Sequence, residues 1–187
     1  MTHPNYHQWP AEIQDEYDKT AKKIEKYGHT TKGIKDVRHF AYTLGASFST
    51  GAEFLSFFPL GGEGLPTIGG IMNRIIGLVQ DGDLTLTSQI LNNESVYYLP
   101  IGMVVLTDDI KDMAESEWAG QLQRDAFLAE FSTDDHQLFL LLASDKDGNM
   151  PWEPECGNYW PDICPRPLVS LAQEILTGDD DFLERMN

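Results

Sequence analysis

The stretch HQLFLLLAS, residues 136–144, decides how this 187-residue chain is read. It is apolar without a break from Leu138 to Ala143, and the turn formers Asp145, Asp147, Gly148 and Asn149 follow at once. A run of that length, closed by a turn, predicts a buried strand, the strongest in the sequence. Neither this run nor any other reaches the roughly 18 apolar residues that a membrane-spanning helix needs.

Upstream, Asp108 and Asp109 suit the cap of a helical stretch reaching about as far as Phe131. Residues 96–107 predict one or two strands, with Pro100, Ile101 and Gly102 as the break. Leucine alternates with threonine from 84 to 91, which predicts another, half-buried strand. Before it comes a helix with Ile68, Ile71, Met72, Ile75, Ile76 and Val79 on one face and Gly82 as its stop. Glu53 to Phe58 has the length of a buried strand, and residues 29–44 turn toward strand before Gly45. The first helix opens at Pro10, spaces Ile13, Tyr17, Ala21 and Ile24 along one face, and closes at Gly28; Lys19, Lys22, Lys23 and Lys26 form its solvated side. Downstream of the 136–144 run, a loop rich in proline and aromatics spans 150–167, and a last helix covers about Leu168 to Leu176. This order predicts a single compact α+β domain over residues 10–177, with a mixed or antiparallel sheet packed by about three to four helices. Residues 1–9 are expected to be a flexible leader and residues 178–187 an acidic tail.

Hydrophobic residues make up 41% of the chain, enough for a core at this length, and 23% charged residues argue against wholesale disorder. The balance of charge is unusual, with 30 acidic against 13 basic residues and a net charge of -17. It is also unevenly placed. Residues 1–45 carry 6 acidic and 7 basic side chains, while residues 46–187 carry 24 acidic and 6 basic ones, a net of -18. From Phe40 to Ile110 the one lysine or arginine is Arg74. A broad phosphate-neutralising surface is excluded, so direct nucleic-acid binding is not expected. A strongly negative body suits a basic protein partner that associates fast and salt-sensitively. The polar start shows no signal sequence and two cysteines make no disulfide framework, so Cys156 and Cys164 are expected to be thiols of a cytoplasmic protein.

Most apparent motifs fail on spacing. Gly61, Gly62 and Gly64 before a helix lack the lysine of a phosphate loop, and Thr67 stands where a dinucleotide fingerprint needs glycine. Gly45-Ala46-Ser47-Phe48-Ser49 nearly meets the nucleophile-elbow pattern, but its last position carries a Cβ, so a Ser47–His39 dyad is not expected. The turn at Asp145 has its glycine in the wrong place for a calcium loop. His29, His39 and His136 each fall near a strand or its end, but without metal-ligand spacing; no metal and no cofactor is expected. Trp152, Tyr159 and Trp160 form an aromatic loop suited either to a binding surface or to a lid over the core.

The order of features resembles a family. Tyr27-Gly28-His29 leading to Phe40-Ala41-Tyr42-Thr43-Leu44-Gly45, then Ala52-Glu53-Phe54-Leu55, is similar to the opening of the domain-of-unknown-function family numbered 4262. Ser144 to Glu153, with Asp147, Gly148, Pro151 and Trp152, looks like that family's closing segment, and Pro165-Arg166-Pro167-Leu168 matches its end in part. The resemblance covers about residues 24–169; Tyr27, His29, Ala46 and the residue before Glu53 depart from the family pattern. It implies a compact α+β domain and no particular activity. By matching position, it places a shared site at Phe40, Tyr42, Thr43, Asp147, Gly148, Pro151 and Trp152.

Two functions follow as expectations. The first is an acidic, non-catalytic interaction domain that binds, and by covering its positive groove inhibits, a basic partner such as a nucleic-acid-handling enzyme. The second is a small-molecule or nucleotide-binding domain, or a hydrolase, with a pocket near His39, Tyr42, Asp147 and Trp152. Candidate binding residues across both are His39, Tyr42, Thr43, Glu53, Asp145, Asp147, Trp152, Glu153, Tyr159 and Trp160.

Overall fold

The computed structural model describes residues 6–35, 39–57, 64–92, 100–106, 130–145, 147–156, 164 and 166–178, and excludes the side chains of 34, 35, 39, 64–67, 166 and 167. Among these the elements are α1 (Ala11–Tyr27), β1 (Thr30–Lys35), β2 (His39–Leu44), α2 (Ser47–Thr50) and β3 (Ala52–Phe57). They continue with α3 (Gly64–Gln80), β4 (Gln89–Leu91), β5 (Ile101–Leu106), β6 (Gln137–Ala143) and α4 (Arg166–Thr177).

The 136–144 run becomes β6, in the interior of a six-stranded sheet of order β1-β2-β3-β6-β5-β4. It pairs parallel with β3 and antiparallel with β5, and the other described pairs are antiparallel, so the sheet is mixed. Its unbroken hydrophobicity has a direct cause: both faces are covered. Leu138, Leu140 and Leu142 face a core closed by Tyr17 of α1 and by Leu168 and Ala172 of α4. Phe139 and Leu141 face the opposite core, built on Ile68, Ile71, Met72, Ile75 and Ile76 of α3. A strand with water on one side alternates; one sandwiched between helices does not. The result is one α+β fold with helices on both faces of its sheet.

Both long helices end where their sequence punctuates them. Gly28 takes φ +82° and its N–H closes α1 on the Ile24 carbonyl, and Gly82 takes φ +79° beyond α3. Ile13 departs from the predicted stripe and stays 40% exposed. In its stead Tyr6 and Trp9, read from the sequence as leader, pack edge-on against Tyr17 with ring centroids 5.6 and 5.5 Å away.

Two strand expectations change. Of residues 84–91 only Gln89–Leu91 pairs, because the Gln89 amide donates to the Thr85 carbonyl and the Thr87 hydroxyl and draws that stretch into a turn. The expected break at Pro100, Ile101 and Gly102 is instead the start of β5, with Ile101 paired to Ala143 and Gly102 to Leu142. Gly102 is closely packed: a Cβ there would lie 3.0 Å from both Leu176 Cδ1 and Met150 Cε, so the ends of those two side chains would have to give way. The helix expected over 108–131 lies, except for its last two residues, outside the described residues, as do Tyr159, Trp160 and the tail beyond 178.

Candidate functional site

The polar candidates separate to opposite ends of the sheet. Glu53 is level with Leu138 of β6, and Asp145 lies seven residues further along, about 23 Å at strand rise. Thr43 and Glu53 belong to the first end. His39, Asp145, Asp147, Trp152 and Glu153 belong to the second, and Tyr42 lies between.

At the first end the chain must turn from β2 into α2. Gly45 makes the turn with φ +88°, and a Cβ on it would lie 2.9 Å from the Gly28 carbonyl oxygen and 3.0 Å from Ile24 Cγ2. The turn is therefore wedged against the C-terminus of α1. The one-turn helix α2 has no side-chain cap of its own at Ala46. Glu53, 0% exposed, supplies one from β3: its Oε1 accepts the Ser47 N–H at 3.0 Å. The same oxygen accepts the Ser132 hydroxyl at 3.2 Å, and Oε2 accepts the Thr43 hydroxyl at 2.6 Å. Thr43 Oγ1 in turn accepts the Phe54 N–H at 2.8 Å, just beyond the last β2–β3 pair at Tyr42 and Leu55. Burial of a carboxyl group demands such donors. Glu53 is thus a joint tying together β2, β3, α2 and the segment leading into β6.

Above this joint three bonds gather the surface around α2. Gln80, ending α3, donates through its amide to Ser49 Oγ at 2.8 Å. The Thr133 N–H donates to Ser47 Oγ at 3.0 Å, and the Gln137 N–H to the Gly51 carbonyl at 3.0 Å. Asp81, Asp83, Asp134 and Asp135, all exposed, sit within three residues of those bonded groups. Phe48, in α2 itself, is exposed as well. Ser47 is 3% exposed, so its hydroxyl, engaged by Thr133, is no nucleophile, and His39 begins β2 at the far end of the sheet, which removes the dyad.

At the second end the carboxylates build turns. Asp145 Oδ1 accepts the N–H groups of Asp147 and Asn149, both at 2.9 Å, and Gly148 supplies φ +90°. The Glu153 carboxylate accepts the Met150 N–H. Trp152 is half-buried, packed against the core beside Gly102, which is the lid role. Tyr42 is 1% exposed and stacks on Phe40, so it lines no open pocket. The histidines do not converge either. His29 Nε2 meets Asn73 Oδ1 at 2.9 Å and His136 Nδ1 meets the Thr133 carbonyl at 2.5 Å, both toward the Glu53 end, while His39 lies at the other.

Cys156 is half-buried and Cys164 buried, and both are thiols. Burial first, then the charges of Asp145 and Glu153, push the Cys156 thiol above the ordinary cysteine range. Alkylation of Cys156 by iodoacetamide near neutral pH is therefore expected to run several-fold slower than that of a cysteine in an unstructured peptide, accelerating only above the usual thiol range. A peptide-like rate, followed by mass spectrometry, would contradict that environment.

Among the described residues no three histidine, cysteine or acidic side chains stand close enough to hold a metal ion, and no helix is long and apolar enough to cross a membrane. Compared with known proteins, the chain matches no family model, no curated protein and no solved structure. Ser132, Phe48 and the four aspartates went unnoticed in the sequence. The pair Asp134 and Asp135 directly before the strongest strand was the one local signal for them.

Proposed function

We propose that this chain is an acidic, non-catalytic interaction domain that binds a basic protein partner, and inhibits that partner where its positive groove is the part covered. The observation that carries this reading is that two segments bearing exposed carboxylates, Asp81 and Asp83 after α3 and Asp134 and Asp135 before β6, are both tied to α2 and Gly51 by bonds from Gln80, Thr133 and Gln137. Carboxylates on segments joined to one element add their fields, and they steer a cationic surface toward it. The charge count supports the same direction, because residues 46–187 carry a net of -18.

No comparable observation favours the ligand-pocket reading. Tyr42 is closed inside the core, and Asp145 and Glu153 use their carboxylates on backbone N–H groups.

The test is the salt dependence of binding to a small basic protein such as a lysine-rich histone, measured by surface plasmon resonance. From about 50 to 300 mM salt the association rate is expected to fall at least tenfold, with dissociation changing much less. Affinity and association rate that hold constant across that range would sink the reading.

A further inference from the structure

Two large aromatic rings stand open at the Glu53 end of the sheet: Tyr27 at 63% exposure and Phe48 at 58%. Both belong to one junction. Tyr27 precedes Gly28, whose carbonyl oxygen abuts Gly45, and the Phe48 N–H donates to the Gly45 carbonyl at 3.3 Å. The two rings differ in their company. Tyr27 carries a cation from its own helix, with Lys26 Nζ 4.7 Å from the ring centroid. Phe48 has no stacking or cationic partner among the described residues.

Charge separates them further. Tyr27 ends α1, whose last turns carry exposed Lys22, Lys23 and Lys26 beside Glu25. Phe48 lies between Ser47 and Ser49, the two residues that bond Thr133 and Gln80, whose chain neighbours Asp134 and Asp135, and Asp81 and Asp83, are exposed. An aromatic ring on an acidic surface selects among cations. An ammonium takes the charge and stays hydrated, whereas a guanidinium lies flat on a ring face and still offers its N–H fork to a carboxylate.

We infer that Phe48 is the anchor of the docking face and that its occupant is a basic protein segment presenting an arginine, stacked on the Phe48 ring and paired with the aspartates beside it. This rests on the reading of the chain as a receptor for a basic partner and adds the side chain that is recognised.

The experiment uses the full chain and two labelled synthetic peptides of equal length, one alternating arginine with glycine and the other lysine with glycine. Fluorescence anisotropy is read at low and at high salt. The wild type is expected to bind the arginine peptide about two- to five-fold more tightly than the lysine peptide. Phe48→Ala and Phe48→Leu are both expected to abolish that preference while leaving lysine-peptide affinity unchanged. Because the ring is exposed, thermal melts of both variants should overlay the wild type. Retention of the arginine preference in Phe48→Ala would overturn the anchor, and retention in Phe48→Leu would show an apolar contact in place of the stacked one and overturn the arginine assignment. Wild-type binding that is salt-sensitive but blind to arginine sinks this inference and leaves the interaction reading standing. Wild-type binding to neither peptide removes both.

Discussion

Glu53→Ala is expected to destabilise the fold by about 3–5 kcal/mol, since it strands three donors in a dry corner and each unpaired buried donor costs about 1–3 kcal/mol, partly relieved by relaxation. The donors are the Thr43 hydroxyl, the Ser47 N–H and the Ser132 hydroxyl. Ser132→Ala removes one of them together with its need for a partner, so it should cost no more than about 1 kcal/mol. Urea midpoints of the two variants supply the comparison. Hydrogen exchange adds a local reading: in Glu53→Ala the Ser47 and Phe54 amides should lose protection ahead of β6. Exchange and midpoint both close to wild type would mean that the carboxylate does not hold this corner. Because α2 takes its cap from Glu53, the same variant should weaken any partner that docks on Phe48, without touching that surface directly.

The second large effect is expected at Gly45. With Cβ distances of 2.9 Å to the Gly28 oxygen and 3.0 Å to Ile24 Cγ2, Gly45→Ala must both hold a left-handed backbone and push α1 away from the sheet. The backbone alone costs about 1–2 kcal/mol, and displacement of a packed helix end brings the total to about 2–4 kcal/mol. Gly51 is the control. Its φ of +76° is similar but nothing lies within 4 Å of the added carbon. Gly51→Ala should therefore cost only about 1 kcal/mol, the backbone preference less a little unfolded-state entropy. Equal costs at the two glycines, measured as melting-temperature shifts, would show that the wedge against α1 carries no energy.

Much of the secondary structure was legible because its signals are local. The stripe of α3 from Ile68 to Ile76 and the stop at Gly82 lie within one window, as do the α1 stripe and its Gly28 cap. Residues 84–91 misled for the same reason. Alternation of leucine and threonine satisfies a strand pattern, and nothing in those letters says that the Gln89 amide folds back on Thr85 and Thr87. Gly102 misled in the opposite sense, since a glycine that breaks a strand and one that admits Leu176 and Met150 read alike. Of the ten candidate residues, Thr43 and Glu53 meet in a buried hydrogen bond. Asp145, Trp152 and Glu153 had the structural roles that turn chemistry and core packing also explain.

The sequence by itself determined that the run 136–144 holds a buried strand, covered on both faces from Leu138 to Leu142, where the long helices end, and that residues 46–187 carry a net of -18, because these depend on neighbours in the chain or on plain counting. Only the tertiary structure decided which residues meet. Parallel pairing of β3 with β6 brings Glu53 to Ser132 across 79 positions, and bonds to the serines on either side of Phe48 join α2 to the end of α3 and to the segment before β6. The physical reason is that long-range strand order is set by burying both sheet faces at once, a constraint on the whole chain that no local window contains.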